Sequence, residues 1–466
     1  MKMPENDTIT AIITPIGEGG IAVIRLSGPD SISIACAVFR GKVDLREEKS
    51  HTVHFGRITG ADGAVIDEVL VTIFRSPHSY TTEDVVEISC HGSVFIARKI
   101  LDLLVGSGAR LAGPGEFTRR AFLNGRIDLS QAEAVADLIR ADSAPSHNLA
   151  LAQLRGSLSV KVSQMRTKVL DICSMIELEL DFSEEGLEFV GREKLINDLE
   201  TLRDEISQLI ESYEHGKIQR EGLRIVLAGS PNVGKSSILN SLIQEDRAIV
   251  SEISGTTRDT IEESVVIDGT RFNIIDTAGL RETHDALEVE GIKRTREQIN
   301  HADIILLIID SMVGTHIRED IDLVGSYLGD RSHKEIIIIF NKSDLVQENQ
   351  TLEMGKKYSA YRTVLTSTKT PSGMNELKKL IGMISLRGKG RPDGESIMIS
   401  NMRQRNTLQN AANSLDFAIQ GVKNGVSADL LSVDLRGALS YFSEVVGVDI
   451  SEEVLNNIFL RFCIGK

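Results

Sequence analysis

There is no tryptophan in the 466 residues, aromatic residues make up 4%, and the four cysteines, Cys36, Cys90, Cys173 and Cys463, stand far apart with no C-x-x-C pair. A disulfide framework or zinc site is therefore not expected, and a reducing compartment is. No apolar run approaches the ~18 residues of a membrane span, and Met1 to Asp7 lacks the apolar core of a secretory leader. A cytoplasmic location without membrane attachment is the expectation. Positive charge is in deficit: 52 Lys and Arg face 67 Asp and Glu, a formal charge of −15. This excludes a uniformly basic coat but not a nucleic-acid partner, since a local basic patch releases counterions while the rest of the surface stays acidic.

What is present is length enough for about three domains of roughly 150 residues each. From Thr8 to about Gly113, short apolar runs (Ile21–Leu26, Val65–Phe74, Val85–Ser89) alternate with turn residues and with helical patterns at Ile32–Phe39 and Val94–Val105. The mixture predicts an α+β domain. Arg25, Glu87 and His91 recur beside its strand ends; they suit either a solvated face with salt bridges or a pocket in which Arg fixes a carboxylate and a carboxylate accepts from a ring N–H. Pro114-Gly115 marks a turn and Asn124-Gly125 a stop. Ser130-Gln131-Ala132-Glu133 has capping-box spacing and predicts a helix start. From Ser146 to about Glu214 apolar residues recur at three- and four-residue intervals, with breaks near Phe182–Gly186 and at Gly191. That pattern, which Gly216 to Gly222 is expected to close, predicts a helix bundle.

A different domain starts at Leu223. Its strand-like runs, Leu223–Ala228, Val265-Val266, Arg271–Ile275, Ala302–Ile309, Glu335–Phe340 and Arg362–Leu365, predict an α/β plan with a mainly parallel sheet. The basic stretch Arg387 to Gly394 reads as a solvated loop before an RNA contact. Ser396 to Lys466 is again helical and too short to bury its own stripe, so it is expected to join the helices before Gly216, leaving the second domain as an insertion.

Five motifs order the inserted domain. Gly229-Ser230-Pro231-Asn232-Val233-Gly234-Lys235-Ser236 lies between a strand and a helix, as a phosphate-binding P-loop requires: backbone N–H groups and the helix N-terminus face the phosphates, Lys235 supplies a point charge and Ser236 a Mg²⁺ ligand. Gly255-Thr256-Thr257-Arg258-Asp259 follows where a switch threonine meets Mg²⁺, and Asp276-Thr277-Ala278-Gly279 ends a strand where Asp276 holds the metal through water. Asn341-Lys342-Ser343-Asp344 offers a carboxylate to guanine N1–H and its amine, which selects GTP, and Ser367-Thr368-Lys369 offers a backbone contact to guanine O6. Leu280 stands where many small GTPases place a water-orienting Gln. Glu282, Asp285, Glu288 and Glu290 are the acidic candidates downstream, and Asn232 suits either a turn or a monovalent-cation ligand.

Taken together the sequence resembles the bacterial tRNA-modification GTPases of the TrmE/MnmE family over its whole length. The resemblance is carried by Gly19 to Gly28, Tyr80-Thr81-Thr82-Glu83-Asp84-Val85-Val86-Glu87, Pro114-Gly115-Glu116-Phe117-Thr118, Arg120 to Gly125 and the terminal Phe462-Cys463-Ile464-Gly465-Lys466. It implies a multidomain α/β and α fold: an N-terminal α+β folate-binding and dimerisation domain (1–124), a discontinuous helical domain (125–218 and 385–466), and an inserted Ras-like α/β P-loop G domain (219–384). It implies a homodimer that, with the flavoprotein partner MnmG (GidA) carrying FAD, adds an aminomethyl or carboxymethylaminomethyl group to the wobble uridine of tRNA, using 5-formyltetrahydrofolate or a related one-carbon folate. Folate contacts carry over to Arg25, Glu87, Arg126 (a Lys in many relatives) and Lys466. Nucleotide contacts fall on Asn232, Val233, Gly234, Lys235, Ser236 and Ser237; on Ser251, Glu252, Ile253, Ser254, Gly255, Thr256 and Thr257; on Asp276, Thr277, Ala278 and Gly279; and on Asn341, Lys342, Asp344, Ser367, Thr368 and Lys369. Ser236 and Thr257 would hold Mg²⁺, while Asn232, Ser251, Ile253 and Thr256 would hold K⁺. Glu288 becomes the water-orienting catalytic residue, and Cys463 the family's functionally important thiol. A ribosome-assembly GTPase would share the five motifs without needing the N-terminal domain or the terminal Cys-Ile-Gly-Lys, and a scaffold with an incidental GTPase would use the folate site for assembly alone.

Overall fold

The computed structural model describes residues 7–181, 191–246, 262–276, 296–312, 317–327, 334–346, 356–367, 369–386, 397–448 and 450–466. The chain forms two compact units, one of residues 1–136, 153–199 and 413–466, the other of 137–152 and 200–412.

The first unit is built on strands β1 (Ile9–Ile12), β2 (Gly19–Ser27), β3 (Phe39–Gly41), β4 (Thr52–Thr59), β5 (Val65–Phe74), β6 (Val85–Gly92) and β7 (Arg110–Leu111). They lie in the order β3-β4-β5-β6-β2-β1-β7, antiparallel except for the β1–β7 pair. Alternation along each strand divides the sheet. Ile24 and Leu26 of β2, Val69, Val71 and Ile73 of β5 and Val86 and Ile88 of β6 share one core with Ile34 and Ala35 of α1 (Ser31–Val38) and Ala97, Ile100 and Leu104 of α2 (Val94–Gly106). The intervening residues face the other way, and the register sets Arg25 opposite Glu87.

Gly115 makes its turn at φ +64, where a Cβ would lie 2.9 Å from the Phe459 carbonyl oxygen, and opens α3 (Glu116–Leu123). The next helix, α4 (Leu129–Arg140), is boxed earlier than the sequence spacing indicates. The Asp128 carboxylate accepts from the Gln131 N–H while the Gln131 side chain accepts from the Asp128 N–H, both at 2.9 Å. Asp and Gln satisfy the same reciprocal geometry two residues before Ser130 and Glu133 would, and the Ser130 hydroxyl instead donates to the Val445 carbonyl. Helices α5 (Ala144–Leu154), α6 (Ser157–Asp181), α7 (Arg192–Glu211) and α8 (Tyr213–Glu221) follow. Gly216 does not break the pattern: α8 runs through it because a side chain there would meet the Ile399 carbonyl at 2.1 Å, so its glycine serves close packing. The stop is Gly222, at φ +76.

The second unit holds β8 (Leu223–Ala228), β9 (Glu262–Ile267), β10 (Thr270–Asp276), β11 (Ile304–Asp310), β12 (Glu335–Asn341) and β13 (Arg362–Leu365). Their order is β13-β12-β11-β8-β10-β9, parallel except for the β9–β10 hairpin, as the mainly parallel expectation has it. Both faces are covered: Ile225, Leu227, Leu306 and Ile339 pack towards α9 (Lys235–Asp246) and Leu377 and Ile381 of α11 (Pro371–Leu386), Val226, Leu307 and Phe340 towards α10 (Ile317–Tyr327). Sheets buried on both faces require such continuous Val/Ile/Leu runs. The last helices are α12 (Met402–Lys423), α13 (Ala428–Val446) and α14 (Glu452–Phe459). In the first unit α13 lies along α6, and Leu455, Phe459 and Phe462 bury against Leu129 and Ala132 of α4. All four cysteines are free, and among the described residues no helix is long and apolar enough to cross a membrane.

Candidate functional site

Among the described residues, each unit carries a candidate site. In the second unit, β8 is followed by Gly229, whose φ of +153 and approach to β11 admit no side chain: a Cβ would stand 2.4 Å from the Ile308 carbonyl. The loop then passes Asn232 at φ +63 and Gly234 at φ +98, where a Cβ would meet the Asn341 amide nitrogen at 2.3 Å, and enters α9 at Lys235. The last residue of β12 and the one after it secure this loop from outside. Asn341 donates to the Val233 carbonyl at 2.8 Å, and Lys342 to the Asn232 carbonyl at 3.1 Å. Asp310 accepts from Lys342 at 2.6 Å and so aims it.

The Lys235 ammonium folds across the loop, donating to the carbonyls of Gly229 (2.9 Å) and Ser230 (3.2 Å). Burial lowers its pKa, against the opposing pull of the Asp276 carboxylate. The Ser236 hydroxyl donates to Asp276 across 3.3 Å, so a hydroxyl and a carboxylate meet at the C-terminal edge of the sheet, where open α/β sheets bind ligands. This donor pair suits a hard divalent cation of the Mg²⁺ type. Farther along the same edge, Ser367 donates to Asp344 at 2.7 Å and Lys369 pairs with it at 3.1 Å; these two bonds hold the Asp344 carboxyl below the usual carboxylate range. An ionised carboxylate here can accept two N–H donors from one heterocycle edge.

In the first unit a cavity of about 620 Å³ opens on the sheet face that carries Arg25 and Glu87. The Arg25 guanidinium donates to Glu87 through Nε at 2.9 Å and Nη2 at 2.7 Å, and lies 5.1 Å from the centre of the Tyr80 ring. Arg126 approaches the same ring to 5.0 Å and donates to the Tyr80 carbonyl at 2.5 Å, while the Tyr80 hydroxyl meets Thr118 of α3 at 2.9 Å. Asn124 donates to the Thr81 carbonyl, so the loop from Tyr80 to Glu83 is held by α3 and its C-terminal turn. Behind it lies an ion network. Arg120 bonds Asp7, Glu83 and Glu116, and Arg110 bonds Asp7 and Glu116.

The chain's last residues reach this region. The Gly115 N–H donates to the Cys463 carbonyl and the Phe117 N–H to that of Lys466, while Gly465 at φ +94 packs where a Cβ would meet the Ile12 carbonyl at 2.6 Å. The Lys466 ammonium is half-buried; burial first, then the Arg25 charge, lowers its pKa, with Cys463 and Glu87 opposing. Cys463 is exposed.

The structure thus brings together Arg25, Glu87 and Arg126, with Lys466 in electrostatic reach, and separately Asn232 to Ser236, Asp276, Asn341, Lys342, Asp344, Ser367 and Lys369; Ser237 lies in the first turn of α9. His91 stays apart from the cavity wall, exposed and paired with Asp67 at 2.7 Å. The switch residues Ser251, Glu252, Ile253, Ser254, Gly255, Thr256 and Thr257, then Thr277, Ala278 and Gly279, the catalytic candidate Glu288, and Thr368 lie outside the described residues. Sequence reasoning passed over Asp310 and Tyr80. A polar residue closing the apolar run of β11 is a visible signal for the first. Tyr80 stands in a quoted motif, but nothing in one dimension shows two arginines converging on its ring.

A family model described as the MnmE helical domain matches residues 129–463, and one described as the GTP-binding protein TrmE N-terminus matches residues 8–126. The chain is similar to the tRNA modification GTPase MnmE of Acetivibrio thermocellus, 41% identical over 100% of both chains. It is similar also to the MnmE of Carboxydothermus hydrogenoformans, 44% identical over 99% of each, and to that of Flavobacterium johnsoniae, 41% identical over 100% of each.

Proposed function

The chain belongs to the MnmE family of tRNA modification GTPases, and on that premise we propose that its GTP hydrolysis depends on K⁺ and Mg²⁺ and drives modification of the wobble uridine of tRNA. The group added is aminomethyl or carboxymethylaminomethyl, its carbon comes from a one-carbon folate such as 5-formyltetrahydrofolate, and the flavoprotein MnmG contributes FAD. The protein acts in the cytoplasm as a homodimer, with domains at 1–124, 125–218 with 385–466, and 219–384.

The observation that carries the nucleotide half is the meeting of Ser236 and Asp276 beside a P-loop pinned by Asn341 and Lys342. Ser236, with Thr257, would hold Mg²⁺, which neutralises phosphate charge when bound. Lys235 leaves its loop carbonyls for the β- and γ-phosphate oxygens, and Asp344 accepts the guanine N–H donors. Asn232, with Ser251, Ile253 and Thr256, would hold K⁺ at the position where other GTPases receive an arginine. Glu288 orients the attacking water that Leu280 cannot. In the cavity, the Glu87 oxygen not bonded to Arg25 accepts from the N–H edge of the pterin, Lys466 stands in electrostatic reach of that same end, and Arg126 offers charge to the folate carboxylates.

GTP turnover measured in K⁺ and then in Na⁺ at matched ionic strength tests the cation assignment: hydrolysis in K⁺ alone is expected, and equal rates would end it. Analysis of wobble uridine in tRNA from a deletion strain tests the modification; fully modified tRNA there would favour a ribosome-assembly GTPase.

A further inference from the structure

The cavity in the first unit is graded from floor to rim. At the floor the Arg25 and Glu87 side chains are 13% and 24% exposed. Phe74 and Tyr80, both half-buried, add aromatic surface to its wall. At the rim stand His51, His78 and Arg126, all exposed. Among the described residues lining the cavity Glu87 is the sole carboxylate, and Arg25 already engages it. The rim therefore offers hydrogen-bond donors and positive charge with no acid of its own.

His51 is held in place at the rim. Its Nδ1 lies 2.8 Å from the Ser50 hydroxyl, whose oxygen also accepts from the Arg75 N–H at 2.9 Å. The ring is fixed edge-on against Phe74, centroids 5.3 Å apart at 86°. Its backbone holds φ +64, a left-handed conformation unfavourable for a non-glycine residue and kept where the surroundings enforce it.

A folate is graded in the same sense: a pterin with N–H donors at one end, a flat aryl middle, and glutamate carboxylates at the other. With the pterin on Glu87 and the aryl group against Tyr80, the carboxylates arrive at the rim. Each further γ-linked glutamate adds one net negative charge there. We propose that this cavity takes a γ-linked polyglutamyl folate in preference to the monoglutamate, with the tail carboxylates received by His51, His78 and Arg126. This rests on the reading of the cavity as a folate site.

Titration calorimetry on the full chain with mono- and triglutamyl 5-formyltetrahydrofolate tests it. The triglutamate is expected to bind about tenfold more tightly at low ionic strength, a difference of ~1.4 kcal/mol, and the ratio should shrink as salt screens the rim. His51→Gly combined with His78→Ala, glycine being chosen because it tolerates the left-handed backbone, should bring the two ligands within about twofold. His78→Ala alone should lower the ratio part of the way, which guards against misfolding of the double variant. Equal binding of the two ligands to the unaltered chain, or a preference undiminished in the rim variants, overturns the polyglutamyl assignment and leaves the folate site standing. Binding of neither ligand removes both readings.

Discussion

The nucleotide edge of the second unit and the cavity of the first are both phosphate- or carboxylate-sized collections of charge on a sheet, yet they are assembled in opposite ways. The proposed phosphate site is one short run of chain, Gly229 to Ser236, which the more distant Asn341 and Lys342 clamp. The cavity has no such run. Arg25 and Glu87 are 62 residues apart, Arg126 and Tyr80 are 46 apart, and Lys466 comes from the far end of the chain. A backbone site is specified by glycine spacing, whereas a side-chain site is specified by whichever strands happen to pair. The first tolerates changes in its supports and fails with its own residues; the second should fail when a support far from any ligand is removed.

The largest effect should come from Lys235→Ala, which removes the ammonium proposed to reach the β- and γ-phosphates. A loss of about 10²-fold or more in kcat/KM for GTP is expected in steady-state assays, with folate affinity in calorimetry essentially unaltered because, among the described residues, the two sites have no bonding partner in common. A shift in folate binding would break the independence of the two regions. Asp344→Asn replaces one acceptor oxygen with a donor, and a drop of about 10²-fold in GTP affinity, with xanthosine triphosphate now preferred, is expected by nucleotide competition. Glu87→Gln should reduce folate affinity by about tenfold, since the carboxylate that both fixes Arg25 and accepts ring donors becomes a neutral amide. Arg120→Ala changes no residue assigned to a ligand, but it takes from Glu83 its charged partner and leaves the loop from Thr81 to Glu83 to the Ser27 hydroxyl, which bonds both residues. A several-fold loss of folate binding, about 1 kcal/mol, would sharpen the contrast; unchanged binding would show the loop to be held well enough by Asn124 and Thr118.

The smallest effect concerns pH. Burial raises the carboxyls of Asp7 and Glu116, but Arg110 and Arg120 outweigh it and hold both below the usual range. Folded values below the unfolded ones contribute stability that is fully present above about pH 5 and is lost as pH falls through the depressed folded values. Thermal melts of the whole chain between neutral and acidic pH should therefore fall less steeply for Glu116→Gln than for the unaltered protein.

How much of this was legible in the sequence follows the same division. The six strands of the second unit and their mainly parallel pairing could be read from apolar runs, because a sheet covered on both faces admits little else. Asp344 and Ser367 could be assigned to one place since each motif ends a strand at the same sheet edge. At helix boundaries the reading slipped. Asp128 with Gln131 made the cap that Ser130 with Glu133 was expected to make, two residues of equal capping chemistry competing for one helix start. Gly216 suggested a break where the helix continues, because a glycine needed for contact with Ile399 is indistinguishable in sequence from one needed for a turn.

By itself the sequence determined what depends on neighbours along the chain: the strand–loop–helix of the phosphate site, the parallel plan of its sheet, and the family whose motifs it shares. Only the tertiary structure decided that Arg25 meets Glu87, that Tyr80 lies between two guanidinium groups, that Asp310 aims Lys342, and that His51 and His78 line the same cavity as a half-buried acid. The reason is physical. Backbone conformation responds to local residue type, but the partner of a charged side chain is chosen by strand register and chain return, which are settled by burial of the whole core.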